Sequence, residues 1–146
     1  MAFKVVVKRY TTSNQKIGAR VVIKLPLATY GDSNLSAENT FTVPYRSGEY
    51  TIELHNPSDY YAYSKMQTDL PNVSGFAGLF DKDKGKYVGV KYTFSPKDNH
   101  AYYVNVYYAP ARVVKVRSDI SSGNGSFGKL NANNTTAYVT SWKGID

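Results

Sequence analysis

The chain has 146 residues, 42% of them hydrophobic and 20% charged, a net charge of +7 and no cysteine. That length suits one domain around a single core, and the apolar share excludes a disordered chain. Absent cysteine excludes disulfides, a thiol nucleophile and cysteine-rich zinc sites, so stability has to come from packing and sheet formation.

The charge is uneven. Residues 1–50 carry seven basic and three acidic side chains, residues 51–100 six of each, and residues 101–146 five and two. Basic ends around a neutral middle favour acidic partners, whether a protein face, an anionic glycan or an anionic surface, and serve equally well as a solubilising coat.

Strand signals begin at once. Phe3, Val5 and Val7 alternate with Lys4, Lys8 and Tyr10, which predicts a half-buried strand over residues 2–10. No apolar leader core, cleavage site or 18-residue apolar run is found, so synthesis in the cytoplasm without Sec export is expected, with no transmembrane segment. The Asn-x-Ser/Thr sequons at Asn34, Asn72, Asn124, Asn133 and Asn134 then read as turn composition. Residues 19–25 resume the alternation through Ala19, Val21, Ile23 and Leu25, and Pro26 removes a ladder donor and ends the strand.

A polar loop is expected over residues 28–39. Strands 40–44 and 49–54 follow, joined through Arg46-Ser47-Gly48, where Gly48 suits a positive φ. After the turn at Asn56-Pro57-Ser58-Asp59, residues 60–66 hold Tyr60, Tyr61 and Tyr63. Alternation fades over residues 67–78, which read as a connection between a first strand group (1–66) and a second (79–146). A short piece at 78–80 and a charged tip at residues 81–85 precede strands 87–95 and 102–109, and further strands are expected at 113–117 and 136–142. About nine strands and no helix predict an all-β, antiparallel β-sandwich in a single domain over residues 1–146.

Over residues 3–63 the elements Val5-x-Val7, Ile17-Gly18-Ala19-x-Val21-x-Ile23, Phe41-x-Val43 and Ser47-Gly48-Glu49-Tyr50-x-Ile52 resemble prealbumin-like sandwich modules such as carboxypeptidase regulatory-like domains. The resemblance implies a noncatalytic appendage of a larger protein. A fainter similarity, Phe94-Ser95-Pro96-x-Asp98 followed by Tyr102-Tyr103-Val104-x-Val106-Tyr107, is to the aromatic head-group region of actinoporin-like cytolysins. The amphipathic N-terminal helix that pore formation requires is missing from the pattern.

Candidate chemistry is sparse. The run from Gly123 to Gly128 matches GxGxxG, but a phosphate cradle needs a helix directly behind the glycines, and the Asn-rich segment that follows is a poor helix start. Asp81 and Asp83 have calcium-ligand spacing, yet Lys82, Lys84 and Lys86 interleave and Tyr92 stands where a bidentate Glu would be required. His55 and His100 sit in turns near Ser58, Asp59 and Asp98 without a recognisable triad. No catalytic residue, metal site or cofactor is therefore expected. The tyrosines carry more. Adjacent aromatics in a strand point to opposite faces, so some of Tyr60, Tyr61, Tyr63, Tyr103 and Tyr107, together with Trp142, are expected at the surface, where tyrosine makes rigid amphipathic contacts. Residues 102–108 hold no basic side chain, which argues against a nucleic-acid motif. The expected function is a noncatalytic subunit or decoration of a larger particle, phage-like or injection-system-like, whose partners are other subunits or copies of itself. The alternative is a cytosolic lectin-like module that binds glycans or membrane head groups.

Overall fold

The computed structural model describes residues 1–32 and 35–111. Within them are nine strands: β1 (Ala2–Thr11), β2 (Val21–Leu25), β3 (Ala28–Asp32), β4 (Glu38–Pro44), β5 (Tyr50–His55), β6 (Tyr61–Thr68), β7 (Ser74–Asp81), β8 (Lys86–Phe94) and β9 (Ala101–Pro110). They form a four-stranded sheet in the order β4-β1-β9-β6 and a five-stranded sheet in the order β3-β2-β5-β8-β7. The all-β sandwich expected from the alternation is what forms. The strands expected at 113–117 and 136–142, the glycine-rich run 123–128 and Trp142 lie outside the described residues.

Alternation sorts the side chains. Phe3, Val5 and Val7 of β1, Phe41 and Val43 of β4, and Tyr102, Val104, Val106 and Tyr108 of β9 face the other sheet, where Val21, Ile23, Tyr50, Ile52, Leu54, Val90 and Phe94 meet them. These side chains are all buried, and removing their apolar area from water is the main force holding the sheets together. Aromatic rings lock one end. Phe3 stands edge-on to Tyr50 at 5.0 Å between centroids, and Tyr50 lies 5.7 Å from Phe94.

The same parity carries Arg9 inward, fully buried, where it donates to Asp32 at 3.2 Å. Burial pushes the Arg9 guanidinium below its ordinary value, and the charges of Tyr108 and Asp32 push back. Its Nε and Nη1, and the Tyr108 hydroxyl, have no hydrogen-bond partner among the described residues.

Three features depart from the sequence reading. Residues 28–32, expected as loop, form β3, because Pro26 and Leu27 make a two-residue hairpin that sets Leu25 opposite Ala28. As an edge strand β3 needs only one apolar face, so its composition looked like a loop. The connection expected over 67–78 shrinks to 69–73: β6 runs on to Thr68 and β7 starts at Ser74. The glycines there belong to an edge strand, Gly75 taking φ +69° beside a bulge and Gly78 leaving room for the Tyr87 ring, whose Cδ1 would lie 2.8 Å from any Cβ. Finally, every pairing among the described strands is antiparallel except one. β1 and β9 run parallel, with Lys4 beside Ala101 and Tyr10 beside Tyr107. Each sheet thus mixes strands from both groups, 1–66 and 79–146, and the groups do not correspond to the sheets.

Candidate functional site

The parallel β1–β9 pairing decides what the outer face of the four-stranded sheet presents. Residues facing away from the core on β9 are Ala101, Tyr103, Asn105 and Tyr107; on β1 they are Lys4, Val6, Lys8 and Tyr10. Val6 pairs with Tyr103, Lys8 with Asn105 and Tyr10 with Tyr107. From the other side β6 sets Lys65 beside Tyr107 and Gln67 beside Asn105. Tyrosine and lysine are therefore interleaved across strands, although no one strand interleaves them.

Contacts hold this platform in place. The rings of Tyr10 and Tyr107 stack at 5.6 Å with planes 25° apart, and the Lys65 ammonium lies 5.0 Å from the Tyr107 ring centroid. Tyr103 is 55% exposed. Its backbone is pinned at both polar groups: the N–H donates to Asp69 Oδ1 at 2.7 Å and the carbonyl accepts from Thr68 Oγ1 at 2.7 Å. An exposed ring on a fixed backbone loses little entropy when it meets a partner. The face is basic on balance, with Lys4, Lys8 and Lys65 against Glu38 at the β4 edge and Asp69 beside Tyr103.

The other tyrosines expected at the surface do not join this platform. Tyr60 is 72% exposed but sits in the turn before β6, where its carbonyl accepts from the Ala111 N–H at 2.8 Å. Tyr61 and Tyr63 are half-buried and pack against the core. Tyr63 shares a hydroxyl hydrogen bond of 2.7 Å with Tyr92, and burial together with that bond raises its pKa well above the ordinary tyrosine value. Tyr102 and Tyr108, which share residues 102–108 with Tyr103 and Tyr107, are core residues.

Each histidine has a structural partner. His55 Nε2 lies 3.2 Å from Glu53 Oε1, and the Lys24 ammonium meets Glu53 Oε2 at 2.8 Å. Burial works against ionisation of Glu53, but the hydrogen bonds from Lys24 and His55 outweigh it and hold the carboxyl below its ordinary pKa. Burial is also the main cause that lowers the His55 pKa, Glu53 opposing it. Ser58 Oγ accepts from the Tyr60 N–H at 3.1 Å, and Asp59 pairs with Lys86. His100 bonds the Asp98 carbonyl at 3.0 Å and stacks on Tyr102. Next to His55 a cleft of about 360 Å³ opens between the β5–β6 turn and the β7–β8 tip, with Arg20, Lys84 and Lys86 among its walls. At that tip Asp81 Oδ1 accepts from the N–H groups of Asp83 at 2.9 Å and Lys84 at 3.2 Å, which makes it a turn cap. Among the described residues no three His, Asp or Glu side chains gather to hold a metal, and no helix is long and apolar enough to cross a membrane.

No protein-family model, curated protein or solved structure matches the chain.

Proposed function

We propose that this domain is a noncatalytic docking module that joins a larger protein assembly, and that it does so through the outer face of the four-stranded sheet. One observation carries the reading: Tyr103, Tyr107 and Tyr10 share one sheet face with Lys4, Lys8 and Lys65, with Tyr107 set between Tyr10 on β1 and Lys65 on β6. Tyrosine supplies contact area at low entropic cost and the lysines select an acidic partner surface by charge. Strand backbones hold both.

A second reading rests on Tyr103 itself. Its exposed ring has Asn105 two residues on and Gln67 across from Asn105 on β6, the combination of a flat apolar ring and nearby amides that stacks and hydrogen-bonds a sugar. A lectin-like role is the alternative.

Fluorescence anisotropy with a poly-glutamate peptide, alongside a glycan panel and anionic liposomes, separates the two. Docking on an acidic protein face predicts peptide binding that weakens steeply between 50 and 500 mM salt, as screening requires, and is lost in Lys8→Glu with Tyr103→Ser. Salt-insensitive binding to a glycan, lost in Tyr103→Ser alone, would replace the docking reading with the lectin-like one.

A further inference from the structure

Among the described strands the five-stranded sheet ends at β7, and no other described residue makes a backbone hydrogen bond to its outward edge. Its sequence is Ser-Gly-Phe-Ala-Gly-Leu-Phe-Asp, with no charge before Asp81 and no proline. Free edges ordinarily carry such guards because unpaired N–H and C=O groups invite another strand. The other edges have them or are short: β4 carries Glu38 and ends in Pro44, β6 carries Lys65, and β3 is five residues long. Instead, β7 exposes two large rings, Phe76 at 60% and Phe80 at 53%. Both are held in position. Phe80 lies 5.0 Å from the Tyr87 ring, and Phe76 lies 5.2 Å from Tyr92 and 6.4 Å from Tyr63.

The occupant is written in the spacing. Phe76 and Phe80 are equidistant from Gly78, and all three are exposed while Ala77 and Leu79 between them are half-buried, which puts the three on one face. An antiparallel copy of the strand turned about a twofold axis at Gly78 sets Phe76 opposite Phe80 of the partner subunit and Ala77 opposite the partner's Leu79. Apolar meets apolar at each of those positions, and no charge is buried. A charged partner would gain nothing from residues 74–80, which offer it no counter-charge. We propose that two copies of this chain pair through β7 in this register, joining their five-stranded sheets into one continuous sheet. This contact lies on the sheet opposite the tyrosine and lysine platform and stands independently of it.

The interface is small. With a phenylalanine side chain burying on the order of 200 Å² when fully covered, the two half-exposed rings of each copy bring roughly 400 Å² to the pair. Bulges between Ser74 and Ala77 and between Leu79 and Phe80 confine regular pairing to the strand centre. An interface below about 1,200 Å² is a weak one, and a dissociation constant on the order of 10–100 μM is expected.

Sedimentation equilibrium of the full chain from 5 to 500 μM tests this. A reversible monomer–dimer equilibrium is expected, unweakened by 1 M salt because no ion pair supports it. Phe80→Lys should raise the dissociation constant at least tenfold with strand circular dichroism unchanged, whereas Tyr103→Ser should leave it alone. Register is read by cross-linking, which the absence of native cysteine makes clean. A mixture of Ala77→Cys and Leu79→Cys chains should form a mixed disulfide dimer on mild oxidation far faster than either variant alone. Both rings stay in place in these variants, so the cross-link decides the matter if Phe80→Lys fails to fold. A chain that is monomeric at 500 μM, a dimer indifferent to Phe80→Lys, or cross-linking no faster in the mixture would each overturn the proposal.

Discussion

Deleting one oxygen atom from two buried tyrosines should change stability in opposite directions. Tyr50 and Tyr108 are both fully buried in the same core. The Tyr50 hydroxyl donates to the Pro44 carbonyl at 2.7 Å and accepts from the Arg46 N–H at 2.8 Å, so it ties β5 to the end of β4. The Tyr108 hydroxyl has no hydrogen-bond partner among the described residues. A net protein hydrogen bond contributes about 0.5–1.5 kcal/mol, and water reaches the half-buried Pro44 and exposed Arg46, so Tyr50→Phe should cost about 1–2 kcal/mol. A buried polar group without a partner costs about 1–3 kcal/mol, which Tyr108→Phe would recover. The two variants should therefore differ by roughly 2–5 kcal/mol, or on the order of 10 °C in melting temperature for a domain of this size. Urea unfolding at pH 7, followed by circular dichroism and checked for an unchanged m-value, measures both. Equal destabilisation by the two substitutions would refute the reasoning, since it would mean that the Tyr108 hydroxyl has a stabilising partner of its own.

Alkaline pH should unfold the protein steeply. Tyr50, Tyr63 and Tyr108 all have raised pKa values, burial being the largest cause in each: the Arg46 N–H opposes it at Tyr50, the Tyr92 hydroxyl reinforces it at Tyr63, and Arg9 opposes it at Tyr108. The unfolded chain loses these protons near pH 10 while the folded chain keeps them. Stability is therefore intact below pH 10 and falls above it, by up to about 4 kcal/mol per pH unit for three groups. Urea midpoints from pH 8 to 12 measure the slope, and a flat profile above pH 10 would contradict the burial assigned to these rings. Gly89→Ala should cost about 3 kcal/mol or more, because the added Cβ would stand 2.2 Å from the Leu54 carbonyl oxygen and 2.9 Å from the His55 Cα, forcing β5 and β8 apart. A loss under 1 kcal/mol in chemical denaturation would show that those strands are not held so close.

Period-two patterning was enough to specify the all-β sandwich and most of its core. Phe3, Val5, Val7, Val21, Ile23, Ile52 and Leu54 are buried as their alternation requires, because burying one face of a strand fixes the direction of every second side chain. Extending that parity by one step puts Arg9 in the core, but its partner Asp32 stands 23 residues away on a strand whose polar composition hid it. Edge strands were the weak point throughout. β3 and β7 bury less and tolerate Gly, Ser and Asp, so they carry the composition of loops, and the hydrogen bonds that make them strands are invisible in composition.

Surplus tyrosine in the chain did point to exposed aromatic residues, and Tyr60 and Tyr103 are the clearest of them. Which rings share a surface was settled by strand order alone. Residues 102–108 contain no basic side chain, and only the parallel pairing of β1 with β9 brings Lys4, Lys8 and Tyr10 alongside them, with β6 adding Lys65. Alternation along one strand is a local property, set by the geometry of the chain, and any reader of the sequence can recover it. Neighbourhood across strands comes from long-range pairing, whose register follows from how all the apolar faces close on one another, and it exists only once the sheets have formed.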